Sequence, residues 1–194
     1  ENVDRVQVLK GPGSRLYGQN AFTGAVNIIT RPSKQRRLHV SGFGGQHTSF
    51  GGTAALNFPV GEDYRQYISV SHDRSDGYRY NTDFDTTNLF MQSELDALGG
   101  TFSMMGGYTD RAFGANGFYA SPQYKDQWES VETGLASLGY KWSGSSATIK
   151  PRLYWRLNDD TYRLRRDDPD FYENNHKTDV YGAEVQSSIR TKAG

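Results

Sequence analysis

The chain has 194 residues, enough to bury a sizeable core, and its 22 basic residues balance its 22 acidic ones. No net field therefore marks nucleic acid as a partner. The absence of cysteine removes disulfides, thiolate metal sites and thiol redox chemistry. Hydrophobic residues make up only 35%, yet aromatics reach 13% and there are 22 glycines. Disorder would deplete the aromatics, so a two-faced sheet rich in Tyr and Gly fits better. No apolar run is long enough for a transmembrane helix, which leaves transmembrane strands, short and only half apolar, open.

In chain order, Val3, Val6, Val8 and Leu9, with Arg5 and Gln7 between them, read as a short, mostly buried strand that Gly11 and Pro12 end. Gly11, Gly13 and Gly18 then give a tight, irregular loop. Ala25, Val26, Ile28 and Ile29 form a second buried strand closed by Pro32. Beyond Pro32 the pattern alternates, and strands are expected at 35–46, 49–60, 64–74, 86–98, 101–111, 131–142, 147–158 and 178–191. Their connections are a short break at His47-Thr48, a tight turn at 61–63 and a long loop at 75–85. A two-residue hairpin at Gly99-Gly100 comes next, then a long loop at 112–130, a short one at 143–146 and a long one at 159–177.

Parity is clean in several strands. Ile149, Leu153, Trp155 and Leu157 alternate with Lys150, Arg152, Tyr154 and Arg156. A soluble sandwich alternates too, but three features favour a membrane barrel. These strands run about 11 to 14 residues, against about 5–6 in globular sheets. After the short first connection, tight turns and long loops alternate along the chain, as in outer-membrane barrels. The polar parity carries Lys150, Arg152, Glu94 and Glu184, which suits a wet lumen better than a dry core. The expected fold is all-β, an antiparallel transmembrane barrel, with open sheet edges near Leu38 and Val185 that favour aggregation in isolation.

Three blocks carry a resemblance to a known family: Asp4-Arg5-Val6-Gln7-Val8-Leu9-Lys10-Gly11-Pro12, Leu16-Tyr17-Gly18, and Gly24-Ala25-Val26-Asn27-Ile28-Ile29-Thr30-Arg31-Pro32. Together they resemble the end of the plug domain in TonB-dependent outer-membrane receptors, with Lys10 and Gln7 standing where that family commonly has Arg and Glu. The resemblance implies that residues 1–34 end a plug domain. It also makes 35–194 the first part of a barrel of roughly 22 strands, about eight of them here. The energy-coupling segment and most of the plug would lie upstream of Glu1, so this stretch alone would not transport. The intact parent is expected to import a scarce nutrient across the outer membrane of a Gram-negative bacterium, and not to be an enzyme. Residues 75–84 and 113–120 look similar to loops of vitamin B12 receptors, which suggests cobalamin, with a ferric siderophore as the rival. Outside the family, the alternative is an eight-stranded structural or adhesive barrel. Implied partners are outer-membrane lipid, TonB, the small nutrient ligand and a surface lipoprotein.

Candidate functional residues follow from this arrangement. Gly13 to Gly18 has the outer spacing of a phosphate loop, but Gln19 and Asn20 replace the Lys and Ser/Thr it needs. Tyr78, Tyr80, Asn116, Phe118, Tyr119, Tyr124 and Trp128 lie in or beside expected outer loops. Aromatics there can clasp a large ligand or form an interfacial girdle. Arg5, Lys10 and Arg15 could pair with Glu94, Asp96 or Glu184 to hold the plug, or remain solvated. Asp76, Asp83 and Asp85, with Asp73 beside them, are candidate Ca²⁺ ligands, as is the crowd of Asp159, Asp160, Asp167, Asp168 and Asp170; solvated acidic loops are the alternative. His39, His47, His72 and His176 are scattered without zinc-site spacing.

Overall fold

The structure, a computed structural model, describes residues 3–12, 23–119, 121 and 123–191. Ten strands occur among them: β1 (Val3–Lys10), β2 (Gly24–Thr30), β3 (Arg37–Gly44), β4 (Phe50–Val60), β5 (Tyr64–Ser75), β6 (Phe84–Ala97), β7 (Gly100–Gly114), β8 (Trp128–Ser143), β9 (Ala147–Arg163) and β10 (Glu173–Ile189). β1 and β2 pair as a separate antiparallel hairpin, and β3 to β10 form one eight-stranded meander in sequence order. The fold class is all-β and antiparallel, as expected. β3 and β10 are its edge strands, as the open edges near Leu38 and Val185 required.

The ladder explains the two faces. One register row runs Leu38, Leu56, Ile68, Met91, Gly106, Ala136, Trp155, Tyr181 across all eight strands. Another runs Arg65, Glu94, Ser103, Gly139, Arg152, Glu184 on the opposite face. Side chains alternate with period two, so each row extends along its strands as an apolar or a polar face. Leu38 and Val185 are each 70% exposed on the apolar face, and Leu138, Leu153 and Met104 are open as well. Among the described residues no second layer packs on this continuous apolar surface, which matches a face built for lipid.

Strand ends account for most differences from the sequence expectation. The His47-Thr48 break is a tight turn with φ of 57° and 52°, closed by the Ser49 N–H donating to Gln46 O at 3.1 Å. The turn between β6 and β7 is Leu98-Gly99 rather than Gly99-Gly100, with φ of 54° and 71°. A two-residue turn of this hand needs both central residues left-handed, and Gly100 is already paired with Ala97 in the ladder. β7, β8, β9 and β10 extend past their expected limits, so the long loops shrink to 115–127 and 164–172. Asp159 and Asp160 therefore belong to β9, not to a loop.

The β1–β2 hairpin departs from expectation more clearly. Its apolar residues were expected to be buried, but β1 is exposed along its whole length. Two strands make one layer, and one layer cannot cover either of its own faces. What the described residues do show is a fastening at the hairpin's end. Gln92 Nε2 donates to Thr30 O at 3.1 Å, Ser33 N donates to Asn57 Oδ1 at 2.9 Å, and Arg31 Nε lies 4.0 Å from Glu94 Oε1. The cation reaching Glu94 from the hairpin is thus Arg31. Neither Arg5 nor Lys10 meets an acidic side chain among the described residues, because both lie on the exposed strand away from that seam. Arg15 falls outside the described residues. Glu184 is held within the sheet by Arg152 at 3.0 Å.

Candidate functional site at the long-loop end

All the longer connections leave the same end of the meander: the second loop (76–83), the third (115–127) and the fourth (164–172), beside the tight first turn (45–49). They are tied to one another. In the second loop Asn81, with φ of 52°, donates through Nδ2 to Lys125 O at 2.7 Å and Gln127 O at 2.6 Å. Arg166 of the fourth loop reaches Asp83 Oδ1 at 2.7 Å and Asn81 Oδ1 at 3.4 Å, and its backbone N–H donates to Asp126 O at 2.8 Å. Tyr80 OH donates to the Asp126 carboxylate. The first turn joins through Asp76 N donating to His47 O at 2.9 Å. Gly114 makes room for this knot, since a Cβ there would stand 2.7 Å from the Asn81 carbonyl oxygen. The hydrogen bond to Asp83 raises the Arg166 guanidinium value further, so it stays charged at every working pH.

Four aromatic rings form a wall between the third and fourth loops. Phe118 and Tyr119 meet edge to face at 4.9 Å, Tyr119 and Tyr162 at 5.7 Å, and Tyr162 and Tyr172 at 6.3 Å. Tyr162 pairs with Glu129 in the ladder and so belongs to the polar-face set. Tyr162 was missed because 159–177 was read as one loop, although the alternation Asn158, Asp160, Tyr162 was the signal that β9 continues; Tyr172 lies in the fourth loop and carries no such signal.

The remaining candidates separate. Tyr78 is exposed with Arg79 stacked 4.8 Å over its ring, and Asn116 takes a turn position with φ of 34°. Tyr124 lines a cleft with Asp126, Leu164 and Arg165. Trp128 begins β8 in the apolar-face parity, beneath Arg163 at 4.9 Å, and so looks away from the polar face. Asp83 is taken by Arg166, and Asp85 lies 3.6 Å from His72. Among the described residues no three acidic or histidine side chains gather in a way that would hold a metal ion, so Asp76, Asp83 and Asp85 are not brought together.

Burial, with a bond to Glu129 second, pushes the Tyr119 phenol up to about 12. A raised folded value means that the stability linked to this group is complete below the ordinary tyrosine value of about 10 and is lost as pH rises through about 12. A phenolate difference titration of wild type against Tyr119→Phe is expected to place the missing step near 12. A step near the ordinary value would contradict the burial.

No family model matches the sequence. The chain is 38% identical over 89 residues to the metal-pseudopaline receptor CntO of Pseudomonas aeruginosa, covering 40% of this chain and 12% of that one. It is 34% identical over 92 residues to the ferric enterobactin receptor PirA of the same species, covering 46% and 12%. A third relative is the vitamin B12 transporter BtuB of Vibrio vulnificus, 43% identical over 42 residues, covering 22% and 7%. Among solved structures, the siderophore receptor PiuA of Acinetobacter baumannii superposes over all of this chain and 33% of its own, with TM-score 0.79 and 12% identity. The copper transporter OprC superposes over 98% of this chain and 32% of its own, with TM-score 0.72 and 15% identity. The chain thus matches about an eighth of the length of the first curated relatives and about a third of the solved receptors. The fold is that of outer-membrane receptor barrels, and the location is the outer membrane of a Gram-negative bacterium. The relatives are transport receptors, not enzymes.

Proposed function

From the kinship of this chain with the TonB-dependent outer-membrane receptors, we propose that the full-length protein imports a metal chelate, foremost a ferric siderophore, across the outer membrane. The aromatic wall of Phe118, Tyr119, Tyr162 and Tyr172 at the loop end carries this reading. Flat, partly apolar chelating rings gain contact area from such a wall, and tyrosine supplies it with little rotamer entropy to lose. In this reading the apolar face meets lipid, the polar face lines the lumen, and the β1–β2 hairpin is the end of a plug. A TonB-contacting segment outside these residues supplies the force. Matched stretches of 89, 92 and 102 residues belong to receptors named for a metal chelate and a ferric siderophore, which supports the same class.

Cobalamin is the second reading, favoured by the 42-residue match to the vitamin B12 transporter. Fluorescence titration of the full-length protein with ferric enterobactin and with cyanocobalamin separates the two. Saturable quenching by the iron chelate alone is expected. Saturation by cyanocobalamin alone would replace the chelate reading with the cobalamin one.

A further inference from the structure

We propose that Asn81 and Gln127 are positioning residues that set the Tyr119 ring for the ligand, an inference that rests on the metal-chelate reading above. Asn81 uses both amide protons on the third loop, at Lys125 O and Gln127 O, while its own oxygen accepts from Arg166 of the fourth. That exhausts its donors. The Gln127 residue so held is 0% exposed. Its carbonyl takes the Ala115 N–H at 2.8 Å, and its side-chain Oε1 takes the Tyr119 N–H at 3.0 Å. A continuous hydrogen-bonded path therefore runs from the second loop, through a fully buried residue, to the backbone of the aromatic that meets Tyr162 edge to face.

Two further observations fit this role. Among the described residues Gln127 Nε2 is buried without a hydrogen-bond partner, so the amide is not there to satisfy itself. What the side chain accomplishes is the bond its oxygen makes to Tyr119. Second, Tyr119 is half exposed, so packing covers only part of the ring. Ordering a ring before the ligand arrives lowers the entropy lost on binding. The hydrogen bonds through Asn81 and Gln127 provide that ordering, and the aromatic wall is presented as one surface from two loops and the end of β9.

The test has two arms, both in the full-length protein. In the first, 3-fluorotyrosine is placed at position 119 and its fluorine resonance is followed in wild type, Asn81→Gly and Tyr162→Ala. Glycine tolerates the left-handed backbone at position 81, so Asn81→Gly removes the side chain, its amide included, without straining that backbone. The resonance is expected to move in Asn81→Gly toward its position in Tyr162→Ala; an unchanged resonance overturns the proposal. In the second arm, ferric enterobactin affinity is measured for Asn81→Gly, Tyr119→Ala and the double variant. Each single change is expected to weaken binding about tenfold, with the double no weaker than Tyr119→Ala alone. Full additivity would show Asn81 acting apart from Tyr119 and would overturn the proposal. A wild type that binds none of this probe sinks the chelate reading, and the fluorine arm then decides the positioning by itself.

Discussion

Replacing Arg65 by alanine is expected to destabilise the full-length protein in detergent by about 2–4 kcal/mol, measured by chemical denaturation. Arg65 is only 6% exposed on the polar face, with Nε 3.2 Å from Glu94 and Nη1 2.9 Å from Asp96. Thr101 Oγ1 also donates to Asp96, at 2.6 Å. Glu94 and Asp96 sit two positions apart on one strand, hence on the same face and about 7 Å apart along it. Deleting the guanidinium leaves two neighbouring carboxylates without their shared counter-charge. The Asp96 side chain is 40% exposed and water screens part of that penalty, so the lower half of the range is the better expectation. Arg65→Lys keeps the charge but not the two-pronged geometry and should recover about half of the loss. A change below about 0.5 kcal/mol for Arg65→Ala would mean that the cluster is as weak as a surface ion pair. Arg31, at 4.0 Å from Glu94 and with its side chain 58% exposed, is expected to fall within that small range.

The contrast between Arg65 and the cations first suspected shows what a one-dimensional pattern conveys. Arg5 and Lys10 stood out because they flank a recognisable block, but a block says nothing about which side chain crosses to the wall. That depends on register. Arg65 faces Glu94 because β5 and β6 pair with Tyr64 opposite Leu95, across strands joined by the loop at 76–83. Strand number, order and inward-outward parity were legible because each depends on neighbours within a few residues. Contacts between loops were not. Asn81 and Gln127 are separated by 46 positions, and nothing local to either marks the bond between them. The extensions of β8 and β9 were missed for a related reason. Above a lipid belt a strand need not alternate apolar with polar, so its pairing continues after its hydrophobic signal has stopped.

Parity can be tested directly on one pair of adjacent residues. Leu138→Arg is expected to cost about 2–4 kcal/mol in lipid, whereas Ser137→Arg should cost less than about 1 kcal/mol. In the ladder Leu138 lies opposite Met104 and Leu153 on the apolar face, while Ser137 lies opposite Met105 and Tyr154 on the other. The Leu138 side chain is already open in the chain, so the substitution creates no cavity and breaks no hydrogen bond. What it changes is the medium the charge must enter. In hydrocarbon an arginine must reach toward the headgroups or draw water inward, whereas the wet polar face already carries Arg152 one strand away. Refolding into vesicles, with denaturant titration of both variants, gives the two costs side by side. In lipid-free buffer Leu138→Arg should lose its penalty, since the apolar face then meets water in either protein. Equal costs for the two sites in vesicles would mean that the two faces had been assigned the wrong solvents. Equal costs only in buffer would tie the whole difference to the membrane.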